Sequence, residues 1–286
     1  MIQSMTGFGK ASQQLPTKKI TVEIKSLNSK GFDLNVRMPQ NFRELELGLR
    51  TQLGQILERG KIDLSIFVEL TSEETSTKIN APIIKNYIQQ MKAILPFADE
   101  TELMKMAVRM PDALKTERDE LDPKEWIEIQ KTIDEALANI QNFRKDEGKS
   151  LENEFLLRLQ NIRQYMEEAL SFEQERMTTV KNKLRTALDD LKVNIDENRF
   201  EQELIFYLEK YDVTEEKVRL TNHLKYFQET LESEEANGRK LGFITQEIGR
   251  EINTMGSKAN HAGMQKLVVQ MKDELEKIKE QVLNVL

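Results

Sequence analysis

The chain has 286 residues, 38% hydrophobic, 32% charged and 6% aromatic, a balance that favours long charged helices over a β-rich sandwich. Cysteine is absent, which excludes disulfides, zinc-thiolate clusters, iron-sulfur centres and thiol nucleophiles, so any metal must be bound by oxygen or imidazole. The net charge of -7 argues against a nucleic-acid partner unless lysine and arginine are concentrated locally. Without an apolar stretch long enough for a membrane span or a secretory signal, we expect a cytoplasmic protein with no membrane contact.

The first 75 residues predict a small α+β domain. Apolar and polar residues alternate in the N-terminal part of the chain, as in half-buried strands. The predicted strands cover residues 2–12, 20–24, 32–38 and 62–68. Apolar residues at helical spacing predict one helix over 41–58. Three prolines, Pro82, Pro96 and Pro111, then predict a connector of short helices over residues 76–148.

Residues 149–286 predict a second domain, built from long helices. Between Gly148 and Gly238 the chain has neither glycine nor proline, and apolar residues recur at spacings of three and four. The fold class is therefore α+β, with a small N-terminal α+β domain followed by a mostly α region. Helices with narrow apolar stripes cannot fill a globule alone, so we also expect a homo-oligomer.

A segment near the C-terminus, RKLGFITQEIGREINTMGSK at 239–258, predicts an amphipathic helix when residues are placed about 100° apart. One stripe is apolar and consists of Leu241, Ile244, Ile248, Ile252 and Met255. The adjoining stripe is polar or charged and consists of Glu247, Arg250, Glu251, Thr254 and Lys258. Basic residues outnumber acidic ones in this segment, which makes it a local exception in an acidic chain.

Glu247 and Glu251 are one helical turn apart and could jointly hold a hard divalent cation beside a scissile phosphate. Arg250 and Lys258 are suited to the neighbouring phosphates. The alternative is an ordinary amphipathic helix whose charged residues form only intrahelical ion pairs. Periodicity favours the ordinary helix, since such pairs are common.

Other titratable residues have both a functional and a structural interpretation. His223 precedes Phe227 at i+4 spacing, which favours a core histidine over an acid-base group, although a role in proton transfer stays open. The run ELIFYLEKYDVTEE offers further carboxylates, but it more simply indicates a helix start capped by Asp212 or Thr214. Those further carboxylates are Glu203, Asp212, Glu215 and Glu216.

The segment SLNSKGFDLNVRMP predicts a polar turn that joins two strands in a β-hairpin. Basic residues outnumber acidic ones over residues 17–37, so exposed lysines such as Lys30 could line an RNA path. Such lysines are also a common way to keep a sheet edge soluble. Nucleotide-fuelled and serine-type chemistry is disfavoured, because the chain has no phosphate-binding loop and no G-x-S-x-G motif.

Several long motifs resemble those of the YicC/YloC family. They include the C-terminal run GRKLGFITQEIGREINTMGSKANHAGMQKLVVQMKDELEKIKEQVLNV, and MTGFG and LERGKIDLSI near the N-terminus. EGKSLENEF and YDVTEEKVRLTNHLKYF extend the resemblance over nearly the whole chain. The resemblance implies a bacterial cytoplasmic protein that cuts single-stranded RNA with a divalent metal ion, Mn²⁺ or Mg²⁺. It also implies a ring-like homo-oligomer, for which a hexamer is one candidate, and a role in RNA decay alongside other nucleases.

The family's motif falls on defined positions of this chain. They are His223, Gly238, Arg239, Lys240, Gln246, Glu247, Arg250, Glu251, Asn253, Thr254, Ser257 and Lys258. We expect Glu247, Glu251, Arg250 and His223 to be catalytic, the two glutamates also as metal ligands. The expected RNA-binding residues are Arg239, Lys240, Asn253, Thr254, Ser257, Lys258 and Lys30. The family often has acidic residues where this chain has Gly242 and His261, which puts metal binding in question if those residues are ligands.

Three functional hypotheses remain. The first is a metal-dependent endoribonuclease that cleaves single-stranded RNA in RNA turnover. The second is a non-catalytic RNA-binding adaptor that delivers RNA to another nuclease and whose carboxylates are structural. The third is a helical scaffold, which predicts no RNA affinity and therefore no salt dependence of binding.

Overall fold

A computed structural model describes residues 2–71, 77–116, 123–190, 197–233 and 238–286. The predicted fold class is confirmed, because a small N-terminal sheet with helices precedes a region of long helices. The predicted boundary between residues 75 and 76 lies outside the described residues. Among the described helices, none is both long and apolar enough to cross a bilayer.

A four-stranded sheet forms the N-terminal region. Its strands are β1 (Gly7–Gln14), β2 (Lys18–Leu27), β3 (Phe32–Arg37) and β4 (Gly60–Leu70), in the order β1-β2-β4-β3. β1 pairs with β2 and β2 with β4 in antiparallel fashion, whereas β3 and β4 are parallel. The predicted β2–β3 hairpin is therefore wrong. A helix between β3 and β4 returns the chain parallel to β3, and β4 then takes the place between β2 and β3.

That helix, α1 (Glu46–Leu57), follows a 3₁₀ turn over Gln40–Leu45 and buries Leu49, Leu53 and Leu57. These leucines share one hydrophobic core with the buried face of the sheet. The opposite sheet face is exposed and carries polar residues such as Lys25 together with Phe8 and Phe67. Burial of one face only accounts for the alternating pattern of the strands.

The connector contains the short helices α2 (Ala81–Ile94) and α3 (Glu100–Ala107), as the prolines predict. A two-stranded antiparallel sheet of β5 (Thr77–Ile79) and β6 (Leu114–Thr116) flanks these helices, and it is not evident in the sequence pattern. This unit has its own small core around Ile84, Ala107 and Ala113.

Helix α4 (Pro123–Ser171) is 49 residues long and joins the two regions. It continues without a break through the predicted boundary at 148/149, and the division into 1–75, 76–148 and 149–286 stays a prediction. Its first half packs on the sheet, where a Cβ on Gly9 would lie 2.2 Å from the Ala136 carbonyl oxygen. At Gly148 a Cβ would lie 2.2 Å from the carbonyl oxygen of Ile2. Only glycine allows both approaches.

The second half of α4 joins a helical bundle. The remaining helices are α5 (Glu173–Asp190), α6 (Glu197–Tyr211), α7 (Thr214–Glu232), α8 (Gly238–Lys258) and α9 (Ala262–Val282). α9 packs against α4 and α8, and α8 packs against α7, around one continuous apolar core. The bundle therefore holds α8, which carries most of the predicted site, between α7 and α9.

Candidate functional site

Helix α8 confirms the predicted amphipathic segment, starting one residue earlier than expected. All five residues of the predicted apolar stripe are buried, with at most 5% of their surface exposed. Three of the four glycines of α8 face side chains of α9: a Cβ would meet Val282 at Gly242, Leu275 at Gly249 and Val268 at Gly256. The glycines therefore let α9 pack closely against one side of α8, and the predicted charged stripe faces the other side.

The charged stripe of α8 meets α7 along an antiparallel seam. Near the start of α8, Lys240 Nζ lies 5.3 Å from the ring centroid of Tyr226. Near its end, Lys258 Nζ lies 2.7 Å from Oε1 of Glu216. We call this line of contact the α7–α8 seam. Its residues are Glu216, His223 and Tyr226 on α7 and Lys240, Glu247, Glu251 and Lys258 on α8.

The two predicted catalytic carboxylates differ in their surroundings. Glu247 is 42% exposed in its side chain, and its Oε2 accepts a hydrogen bond of 3.2 Å from Arg250. Glu251 is only 4% exposed as a residue. Within the described part of the chain, no hydrogen bond or ion pair reaches the Glu251 carboxylate, yet neither of its oxygens is sealed from solvent. Glu251 is therefore a nearly buried carboxyl group without a hydrogen bond or ion pair among the described residues.

His223 lies on the same seam. It is half-buried on α7 and shares a helical stripe with Glu216 and Tyr226, both of which contact α8. Because those contacts lie at opposite ends of α8, His223 is level with the middle of that helix, where Glu247 and Glu251 lie. By helical spacing, three predicted catalytic groups therefore fall at the same level of α7 and α8, while Arg250 extends outward with 72% of its side chain exposed.

Lys258, predicted to bind RNA, is held inside the seam by Glu216 rather than extending freely into solvent. Its side chain is 28% exposed and that of Glu216 is 5% exposed. The other carboxylate oxygen of Glu216, Oε2, is buried with no hydrogen-bond partner among the described residues. Nearby, two nitrogens of the buried Arg176 also lack partners there, while its Nη1 donates to the Lys258 carbonyl oxygen. Sequence reasoning missed this buried charge network because Arg176 comes from a distant helix.

The remaining carboxylates of the acidic run have ordinary roles. The predicted helix start is confirmed, but the N-cap of α7 is Val213, which makes no side-chain capping hydrogen bond. Asp212, one residue earlier, accepts a hydrogen bond of 2.9 Å from the Thr214 backbone N–H. Hydrogen bonds from the hydroxyl and the backbone N–H of Thr214 lower the pKa of Asp212. Glu215 pairs with Arg219 on the surface, and Glu203 is exposed on α6.

The other predicted RNA-binding residues lie mainly on the outer face of α8. Arg239, Asn253 and Ser257 are exposed, and Thr254 is half-buried, its hydroxyl donating to the Arg250 carbonyl oxygen. Lys30 is exposed in the β2–β3 loop. The same loop donates a hydrogen bond of 2.7 Å from Asn28 Nδ2 to the Leu283 carbonyl oxygen. The last residues of the chain also contact the start of α8 through Gly238 N–H and the Leu286 carbonyl oxygen. The loop of Lys30 and the start of α8 therefore lie at the same end of the molecule.

Two exposed aromatic residues were missed by the sequence analysis. Phe243 is 62% exposed on α8, and Tyr226 is 46% exposed on α7. Phe243 is a large apolar residue outside the apolar stripe of the helical projection. That position predicts an exposed ring and could have identified Phe243 from the sequence.

The acidic residues of the seam can bind a divalent cation in one way only, through two carboxylates, with water and RNA phosphate as the other ligands. In the part of the chain that the structure describes, no group of three or more acidic or histidine side chains is placed to hold a metal ion. Mg²⁺ characteristically keeps several waters and binds through one or two carboxylates together with substrate phosphates. Glu247 and Glu251, the latter without a partner in the described residues, fit that mode and would leave most coordination positions to water and RNA.

The two positions at which this chain lacks a usual acidic residue lie away from the seam. Gly242 faces Val282 of α9. His261 caps α9, accepting at Nδ1 from the Met264 N–H at 3.4 Å, and its ring stacks on Phe172. An acidic residue would also serve as a helix cap at position 261. Neither departure therefore removes a group from beside Glu251.

Fold and site describe a chain with a small N-terminal sheet and a helical bundle that carries a charged helix seam. A family model described as "Endoribonuclease YicC-like, N-terminal region" matches residues 2–153, and one described as "Endoribonuclease YicC-like, C-terminal" matches residues 166–286. Two curated proteins named "Probable endoribonuclease YicC" match over the full length of both chains. The protein from Clostridioides difficile is 32% identical and that from Haemophilus influenzae is 31% identical. The chain belongs to the YicC-like endoribonuclease family.

Proposed function

We propose that this protein is an endoribonuclease that cleaves single-stranded RNA and depends on a divalent cation, Mn²⁺ or Mg²⁺, at Glu247 and Glu251. The observation that carries the proposal is the uncompensated Glu251 carboxylate, which is 4% exposed and has no described hydrogen bond or ion pair. An almost buried anion is costly unless a cation or a hydrogen-bond donor accompanies it. The names of the two full-length relatives support the reaction class.

The proposed catalytic residues have separate roles in phosphodiester cleavage. Glu247 and Glu251 hold the cation, which when bound stabilises charge on the scissile phosphate. Arg250 can leave its surface pair with Glu247 at little cost, because exposed ion pairs are worth only about 0–1 kcal/mol, and can then contact an RNA phosphate. His223, level with the two carboxylates, is the candidate for proton transfer.

The decisive experiment compares the Glu247→Gln, Glu251→Gln double variant with the wild type on a labelled single-stranded RNA. We expect cleavage by the wild type with Mn²⁺ or Mg²⁺, none with a chelator, and a loss of at least about 100-fold in the variant. The matched control is Glu276→Gln, Glu280→Gln, which makes the same change at i and i+4 on α9, where both glutamates are exposed. Full cleavage by the catalytic-site variant would refute the proposed centre.

A non-catalytic RNA-binding adaptor is the second candidate. Burial of Glu251 and pairing of Glu247 with Arg250 are also what structural carboxylates show, and this favours the adaptor to that extent. An adaptor predicts that the wild type binds RNA without cutting it, and that the double glutamine variant binds equally well.

We further propose a cytoplasmic role in RNA turnover, alongside other RNA-decay nucleases, for a homo-oligomer with a hexamer as one candidate. Support for self-association comes from α6, which exposes Ile205 and Phe206 and contributes none of its described residues to the apolar core of the bundle. Light scattering after size-exclusion chromatography gives the subunit number. A purely monomeric protein at micromolar concentration would contradict this part of the proposal.

A further inference from the structure

Two exposed aromatic rings, one on α7 and one near the start of α8, lie at the outer edge of the α7–α8 seam. Tyr226 on α7 and Phe243 on α8 are 46% and 62% exposed. Lys240 Nζ lies 5.3 Å from the Tyr226 ring centroid, and Phe243 is three residues beyond Lys240, on the neighbouring turn of α8. We call these three residues the aromatic patch.

Exposure of a single aromatic ring is common in folded proteins and does not by itself indicate a binding site. The aromatic patch differs because its rings come from two neighbouring helices, and a lysine lies over one of them. Basic side chains also continue along the same helix, with Arg239 four residues before Phe243 and Arg250 seven residues after it, both exposed. Rings interleaved with basic groups are the combination that binds single-stranded nucleic acid, since every base has a face that can stack and every nucleotide has a phosphate.

The position of the patch relative to the carboxylates is the second argument. Phe243 precedes Glu247 by four residues, one helical turn, or about 6 Å along the axis. A base stacked on Phe243 would therefore place the adjoining sugar-phosphate backbone beside Glu247 and Arg250. Stacking at this point would position the strand for cleavage without selecting a sequence.

We propose that Tyr226 and Phe243 form a stacking subsite for unpaired bases of single-stranded RNA, with Lys240 between them contacting the backbone. This inference rests on the proposed function, because it assigns the binding of the same substrate. Duplex RNA is excluded by the same chemistry, since its bases are already stacked on each other.

The test measures the contribution of the bases to binding separately from that of the phosphates. Binding is measured in the presence of a chelator, to prevent cleavage, for an adenine oligoribonucleotide and for an abasic strand of equal length and charge. Phe243→Leu and Tyr226→Leu should each weaken binding of the adenine strand roughly tenfold while leaving the abasic strand unaffected. Phe243→Trp should retain binding, because it keeps a stacking face. The control Phe143→Leu, which removes a 47% exposed ring from α4, should change neither.

Each other outcome is decisive. If the wild type binds both strands equally, or if Phe243→Leu and Tyr226→Leu bind the adenine strand as the wild type does, there is no stacking subsite, although the proposed nuclease stands. Equal losses on both strands would show that the variants disturb phosphate binding or folding, and would also overturn the subsite. A wild type that binds neither strand overturns the subsite, and the cleavage assay with Mn²⁺ or Mg²⁺ then decides the proposed function separately.

Discussion

Glu274 and Glu251 are both nearly buried carboxylates of the same helical bundle, but their surroundings are opposite. Glu274, at the contact of α9 with α4, accepts hydrogen bonds from Arg158, Asn161 and Lys277. Burial by itself raises the pKa of Glu274, but the hydrogen bonds from Lys277, Asn161 and Arg158 together lower it. Glu251, at the contact of α8 with α7, has no such partner among the described residues.

This contrast separates a structural carboxylate from a functional candidate without reference to any relative. A buried charge that is completely paired contributes to the native packing, and its removal leaves its partners uncompensated. A buried charge left without partners weakens the fold, and compensation by a ligand is one reason for its presence. The comparison predicts opposite responses to the same Glu→Gln change at the two positions.

Glu251→Gln should give the largest separation between activity and stability. We expect RNA cleavage to fall at least about 100-fold, while the free energy of unfolding changes by less than about 1 kcal/mol or rises, because an uncompensated charge is removed. Cleavage rates and urea unfolding of the same preparation measure both. A marked loss of stability would show instead that Glu251 has a structural role.

Glu274→Gln should show the reverse pattern. The free energy of unfolding should fall by about 2 kcal/mol, because Arg158 and Lys277 lose their partner; the value is below the usual cost of breaking a buried pair since both cations reach water. Cleavage of RNA under conditions where the variant is folded should equal that of the wild type. Loss of cleavage by the folded variant would show that activity also requires Glu274, and would contradict the proposed difference between the two carboxylates.

Divalent cations should stabilise the protein through the α7–α8 seam. At a free Mn²⁺ concentration of ten times its dissociation constant, binding to the native state adds about 1.4 kcal/mol and raises Tm by a few degrees. The shift should be absent in Glu247→Gln, Glu251→Gln and unchanged in Glu276→Gln, Glu280→Gln, as measured by thermal unfolding. An equal shift in all three proteins would place the cation elsewhere.

The smallest expected effect is on the pH dependence of stability. Because the pKa of Glu274 is lowered in the folded protein, its contribution is present above the unfolded pKa, near 4.5, and is lost as the pH falls through the folded value. The difference in unfolding free energy between wild type and Glu274→Gln should therefore be constant from pH 6 to 8 and shrink below about pH 4.5. A difference that grows on acidification would contradict the assigned hydrogen bonds.

Local patterns predicted the elements well and their pairing poorly. Alternation located β2, β3 and β4 of the N-terminal sheet, because one sheet face is buried and the other is exposed, whereas the first strand, predicted over 2–12, lies at Gly7–Gln14. The hairpin prediction failed at β2 and β3, since strand neighbours depend on how a later segment packs and not on the turn between two strands. The small β5–β6 sheet was not predicted, because three-residue strands are too short to show an alternating pattern.

The sequence alone determined the class of the fold, the amphipathic helix α8 and the family resemblance, because these depend on residue spacing along one segment. Only the tertiary structure decided which charges are compensated. Glu247, Glu251 and Lys258 are equivalent in a helical projection, but α7 supplies Glu216 to Lys258 and, in the described residues, nothing to Glu251. The physical reason is that burial and pairing are properties of the neighbouring helix, whose contacts no pattern within α8 contains.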